Sequence, residues 1–105
     1  MDLFPDHAVF APGQVGWDHF VDLDPALPIE HHDIFEFDDD PFVVFYPNGM
    51  LLDVGYLLRQ EPIFTVSIAF QKGPWRTVFE RKCKSFEDVR ILVLQMHPKA
   101  RDWKV

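Results

Sequence analysis

Phe42-Val43-Val44-Phe45-Tyr46-Pro47-Asn48-Gly49-Met50-Leu51-Leu52-Asp53-Val54-Gly55-Tyr56-Leu57 decides the fold of this chain. Its first five residues are β-branched or aromatic, the types that fit a pleated, half-buried surface. Pro47-Asn48-Gly49 follows: proline presets the first turn position, and asparagine and glycine tolerate positive φ. A three-residue hairpin loop with Gly49 in the left-handed position is expected. Met50 to Leu57 is then the returning strand, with Leu52, Val54 and Tyr56 on one face and Leu51, Asp53, Gly55 and Leu57 on the other.

Downstream, Ile63 to Phe70 alternates cleanly, with Phe64, Val66, Ile68 and Phe70 on one side and Thr65, Ser67 and Ala69 on the other. Gln71-Lys72-Gly73-Pro74 turns the chain. Trp75 to Lys84 reads as a strand with one wet face, placing Trp75, Thr77, Phe79 and Cys83 opposite Arg76, Glu80, Lys82 and Lys84. Ser85 with Asp88 resembles a capping box, and Phe86, Val89, Leu92, Val93 and Met96 recur at helical spacing. Pro98 ends that helix at about His97. Upstream, Ile34 to Phe37 is a short strand candidate closed by Asp38-Asp39-Asp40-Pro41. Residues 1–33 are broken by Pro5, Pro12, Pro25 and Pro28 and read as an irregular but apolar arm. Within it, Gly16 to Val21 fits either a helical turn or a short strand.

The expected architecture is one α+β domain over residues 1–105. Residues 1–33 form the arm, 34–84 an antiparallel meander of about four strands, 85–97 a helix on one face and 98–105 a tail with Trp103 as an anchor. The arm is expected to cover a sheet edge or the face away from the helix.

The 105 residues carry 48% apolar and 15% aromatic side chains, enough to bury a core, which excludes an intrinsically disordered chain. No apolar run approaches a membrane span, and Met1 to Asp6 has neither the basic nor the apolar region of a secretory signal, so the expected compartment is the cytoplasm. One cysteine, Cys83, excludes a disulfide framework and a multi-cysteine zinc site. It reads as a buried, inert thiol.

Charge is the most informative pattern. Residues 1–58 hold 12 acids and no lysine or arginine, whereas residues 59–105 hold five acids and all ten basic residues, so the halves carry −12 and +5. Halves this unequal point to neutralisation within the fold or to an interaction face. The surplus of acid must face solvent or a partner, and a net charge of −7 argues against direct binding of nucleic acid.

No enzyme motif is present: there is no phosphate-binding glycine loop, no G-x-S-x-G and no H-E-x-x-H. Glu30-His31-His32-Asp33 raises a metal site, with His31 and Asp33 as ligands and Asp38 to Asp40 as further oxygens. Its spacing matches no established set, so no metal and no cofactor is expected. Asp38-Asp39-Asp40 lacks the alternation and terminal glutamate of a calcium loop. Asp53 reads as a solvent-face acid or one paired with a basic residue of the next strand. The remaining reading is protein recognition, not catalysis. Glu30, Asp33, Glu36, Asp38, Asp39, Asp40 and Asp53 supply steering charge, and Trp17, Phe35 and Phe37 supply apolar anchors.

By size, acidity, lack of catalytic motifs and lone cysteine, the chain resembles the small acidic immunity proteins of bacterial toxin–immunity systems, such as contact-dependent growth inhibition. Tyr46-Pro47-Asn48-Gly49-Met50-Leu51-Leu52-Asp53-Val54-Gly55-Tyr56, then Phe64-Thr65-Val66 and a tryptophan-containing strand, carry that resemblance over residues 42–97. It implies a cytoplasmic inhibitor, monomeric or weakly dimeric when free, that binds one cognate toxin with a basic surface, a nuclease above all. The alternatives are a nucleic-acid mimic blocking a host defence enzyme, a small metal-dependent domain using His31, Asp33 and Asp53, and a subunit that oligomerises through its phenylalanine-rich arm.

Overall fold

The computed structural model describes residues 2–24, 26–27, 40–58 and 62–104, and the side chains of all of these but residues 57, 58 and 62. Five strands form one antiparallel sheet in chain order: β1 (Gln14–Asp18), β2 (Phe42–Phe45), β3 (Met50–Leu58), β4 (Pro62–Phe70) and β5 (Arg76–Cys83). One helix, α1 (Phe86–Arg101), follows. The α+β class is as expected from the sequence. The strand count is five and not about four because the arm contributes β1, which pairs with β2. The candidate strand Ile34 to Phe37 lies outside the described residues.

The central hairpin forms as its residues dictate. Tyr46 and Gly49 close the loop, with Tyr46 N–H donating to the Met50 carbonyl at 2.9 Å and Gly49 N–H to the Tyr46 carbonyl at 3.2 Å. Gly49 adopts φ +86°, and the Asn48 side-chain oxygen accepts from Met50 N–H at 3.1 Å. These are the roles that glycine and asparagine play in such loops.

Register fixes the two faces. Phe42, Val44, Met50, Leu52, Val54, Tyr56, Phe64, Val66 and Ile68 point to one side and join a core with Val89, Val93, Met96 and Ala100 of α1. Leu3, Phe4, Phe10, Phe20 and Leu23 of the arm belong to that same core. Among the described residues the arm supplies a sheet edge and packs its phenylalanines into the core beside the helix. Fully burying each such phenylalanine contributes about 1.5–3 kcal/mol, which holds a proline-broken segment in place. Two single 3-10 turns, His7–Phe10 and His19–Asp22, carry Phe10 and Phe20 inward. Gly16 to Val21 thus contains both of its expected alternatives, a strand up to Asp18 and a helical turn after it. The Ala11–Pro12 peptide bond is cis.

Three boundaries differ from the sequence reading. Trp75 stays in the turn, because β5 begins at Arg76. Val78 is an extra residue in β5: Ile68 pairs with Phe79 and Ala69 with Thr77. This bulge turns Val78 and Phe79 both toward the core, where simple alternation separates Thr77 and Phe79 from Val78. The helix also runs through Pro98 to Arg101 instead of ending at His97, so the expected tail contributes a further helical turn. A proline inside a helix costs a hydrogen bond, and tertiary contacts offset it here. Ala100 is fully buried, Trp103 packs on the core, and the Asn48 amide donates to the carbonyls of Ala100, Arg101 and Trp103 at 3.0, 3.1 and 3.3 Å. At the other end Ser85 caps the helix, its hydroxyl accepting from Asp88 N–H at 3.1 Å.

Candidate protein-binding surfaces

Of the residues the sequence singles out, Glu30, Asp33, Phe35, Glu36, Phe37, Asp38 and Asp39, with His31 and His32, lie outside the described residues. Trp17, Asp40 and Asp53 are described, and the fold gathers them on the sheet face away from α1. Trp17 pairs with Val43 across β1–β2, and Val43 with Asp53 across β2–β3. The Trp17 indole N–H donates to the Asp40 carbonyl at 2.6 Å. The row continues through Ser67 to Glu80, so it crosses the whole sheet. Asp53 is half-buried, its Oδ1 sealed from solvent. Its direct neighbours in the ladder are Val43 and Ser67. Beside this row Phe45 lies between Trp17 and Trp75, ring centroids 6.1 and 6.4 Å away. Val43, Leu51 and Ala69 are buried beneath them.

The acids of the arm divide into two kinds. Asp18 works for the fold: one oxygen accepts from Phe20 N–H and the other contacts His7 Nε2, each at 3.0 Å, and its side chain is nearly inaccessible. Asp6 and Asp24 accept from the backbone N–H groups of Ala8 and Ala26 yet remain exposed, as do Asp2 and Asp22. These exposed carboxylates share the arm with exposed Val9, Val21 and Leu27. Between arm and helix runs an open groove of about 400 Å³. Leu3, Phe4, Pro5, Val9 and Leu94 line it, and Asp2, Asp6 and Arg90 rim it. Acids and aliphatics side by side, with no lysine or arginine in the first 58 residues, suit a partner that is both cationic and apolar. Sequence reasoning missed this surface. It weighted the densest acid run, whereas exposure of Val9, Val21 and Leu27 depends on which way each short turn rolls.

The opposite margin is basic. The helical cations Arg90 and Arg101 are each paired with a carboxylate of their own half, Glu87 at 2.6 Å and Asp102 at 2.8 Å. Hydrogen bonds from these guanidinium groups hold both carboxyls below their ordinary values. Other cations rest on rings. Arg76 lies 4.7 Å from the Phe70 centroid, and Arg81 and Lys99 lie 4.2 and 4.4 Å from that of Phe79. These carboxylates and rings all belong to the same half of the chain as the cations they meet.

Two further groups prove structural. Cys83 is half-buried, not buried as the sequence reading has it; burial, then the charge of Asp88, raises its thiol to about 11. Tyr46 Oη and His97 Nδ1 share a 2.7 Å hydrogen bond inside the core. Burial raises the tyrosine and lowers the histidine, so the bond joins two neutral groups. Among the described residues no group of three or more histidine, cysteine, aspartate or glutamate side chains is placed to hold a metal ion, and no helix is long and apolar enough to cross a membrane. The proposed ligands His31 and Asp33 lie outside those residues.

Comparison with protein-family models, with curated proteins and with solved structures returns no match.

Proposed function

We propose that this chain is a cytoplasmic inhibitor of the immunity class, which neutralises a cognate toxin by docking its acidic N-terminal half on a basic protein surface. The observation that carries the reading is the arm. Asp2, Asp6, Asp22 and Asp24 are exposed next to exposed Val9, Val21 and Leu27, in a stretch without a single balancing lysine or arginine. Long-range attraction brings the partner in and orients it, and the aliphatic patch and the groove against α1 supply the short-range contact. A nuclease is the favoured target, because an enzyme that handles a polyanion carries a cationic cleft. The Glu30 to Asp40 segment adds six acids to the same half.

The test is association with the toxin-like protein encoded beside this chain's gene, measured at several ionic strengths. Reversing Asp2, Asp6, Asp22 and Asp24 to lysine is expected to slow association at least tenfold at low salt, with the difference shrinking as salt rises. Reversing Asp38, Asp39 and Asp40 is expected to do the same. Association rates unchanged in both reversals remove the electrostatic docking mechanism.

A further inference from the structure

We propose that the groove between the arm and α1 is a socket for one arginine side chain of the basic partner. The inference rests on the inhibitor reading above and adds two things to it: which group enters the groove, and that this contact governs release and not approach. The groove is a formed cavity of about 400 Å³, inside the range of about 300–1,000 Å³ in which proteins hold small ligands. Leu3 and Phe4 are its buried lining, 7% and 3% exposed, and both belong to the core. Phe4 is held by Phe42, Phe10 and Phe20, with ring centroids 4.5, 5.6 and 6.1 Å away. Val9 and Leu94 line the groove too, yet stand 48% and 38% exposed. The deep apolar surface is therefore in place before anything binds, which leaves little ordering for the moment of binding.

Charge selects the occupant. Asp2, Asp6 and Arg90 line the same groove. Arg90 is already matched, because Glu87 accepts from its guanidinium at 2.6 and 3.3 Å. Among the described residues no lysine, arginine or histidine pairs with Asp2 or Asp6. Both are exposed, and Asp6 uses one oxygen to accept from Ala8 N–H and keeps the other. The occupant must bring apolar surface along its length and positive charge at its end. Arginine does so: its stem lies on apolar surface while the guanidinium stays at the margin, and its planar fork meets a carboxylate through two N–H donors. Lysine carries the charge as a compact, strongly hydrated ammonium, which suits an apolar groove less. A leucine or phenylalanine fills the groove and leaves both carboxylates unmatched. Arginine is also among the side chains whose truncation costs an interface most. Charges at a rim set the rate of approach, whereas a seated anchor sets the rate of release. Asp22 and Asp24, which do not line the groove, belong to the first role and Leu94 to the second.

The test is a titration of the full chain, labelled for amide NMR, at low salt. The probes are N-acetyl-arginine methylamide, its neutral isostere N-acetyl-citrulline methylamide, and guanidinium chloride, which has the charge without the stem. The expected result is saturable shifts at the amides of residues 3–9 and 90–94 with the arginine probe, and affinity at least fivefold weaker with each of the others. Leu94→Ser weakens the arginine probe at least fivefold. Asp2→Asn with Asp6→Asn does the same and retains the turn, because an asparagine oxygen also accepts from Ala8 N–H. Ile91→Ser, at an exposed position of α1 that does not line the groove, leaves binding unchanged. Against the toxin, Leu94→Ser speeds dissociation at least tenfold with association unaltered, and Ile91→Ser changes neither. The absence of saturable shifts, equal affinity for the citrulline probe, or a Leu94→Ser variant that behaves as Ile91→Ser does overturns the socket. The probe titration involves no toxin, so it judges the socket alone; the salt-dependent association rates of the arm reversals judge the inhibitor reading.

Discussion

The two margins of the sheet handle charge in opposite ways. On the β1 side, the carboxylates of Asp6, Asp18 and Asp24 accept hydrogen bonds from backbone N–H groups close by in the chain. On the β5 side, Arg76, Arg81 and Lys99 lie against aromatic rings. A carboxylate can serve as a cap because short polar side chains reach the main chain. Long cationic side chains instead lay their stems on apolar surface and hold the charge outward. Topology converts this into a property of the whole molecule. The strands lie in the sheet in the order they occur in the chain, so among the described residues Asp18 of β1 and the cations of β5 stand at opposite margins of the sheet.

The largest test of that contrast is to detach the acidic margin. Phe10 is fully buried, with its ring 5.6 Å from Phe4 and 5.5 Å from Phe42. Phe10→Ala is expected to cost about 3–5 kcal/mol in urea unfolding and to expose the arm to proteolysis. Next comes Asn48, the link between hairpin and helix. Asn48→Ala leaves the last helical carbonyls without their donor and is expected to cost about 1–3 kcal/mol by the same measurement. Asp18→Ala removes the cap of the second 3-10 turn and its contact with His7, for about 1 kcal/mol. Gly49→Ala meets no atom within 4 Å of the added methyl, so its cost, about 1 kcal/mol, comes from the positive φ alone. The smallest effect belongs to the basic side: Glu87→Gln is expected to leave the midpoint unchanged, because both partners of that pair are exposed.

His97 gives the comparison a pH axis. Its value in the fold lies below the ordinary one, chiefly because of burial. Below about pH 6.5 the unfolded chain therefore takes up a proton that the folded chain refuses. Its contribution is complete above that pH and is lost as pH falls toward the lower folded value. His97→Gln is expected to lower stability at pH 7.5 and to narrow its distance from the parent protein as the pH falls through that window.

Strand and helix were legible wherever one periodicity ruled. The hairpin at Pro47 to Gly49, the alternation of β4 and the Ser85 cap follow from local chemistry alone. What escaped the sequence depended on distant partners. β1 is a strand because β2 offers it an edge and because Gly16 admits the Phe45 ring: a Cβ there meets Phe45 Cε2 at 2.5 Å. Pro98 reads as a stop until Asn48, fifty residues earlier in the chain, is seen to hold the carbonyls beyond it. The bulge at Val78 puts Thr77 on the face opposite Phe79, where plain alternation places the two together, and no local signal announces it. For the acidic surface, the sequence supplied the sign and the half of the chain. Of the named residues, the fold places Trp17, Asp40 and Asp53 together, yet Trp17 and Asp53 are half-buried and the exposed acids of the arm were not among those chosen.

The asparagine clasp has a bearing on how the molecule breathes. Helix termini ordinarily open first, and their amides exchange with solvent long before those of the interior. Here the last turn of α1 opens only if the loop between β2 and β3 lets go of it. The amides of residues 100–103 are therefore expected to exchange at rates close to those of the central strands, and in Asn48→Ala to exchange as a loose end does.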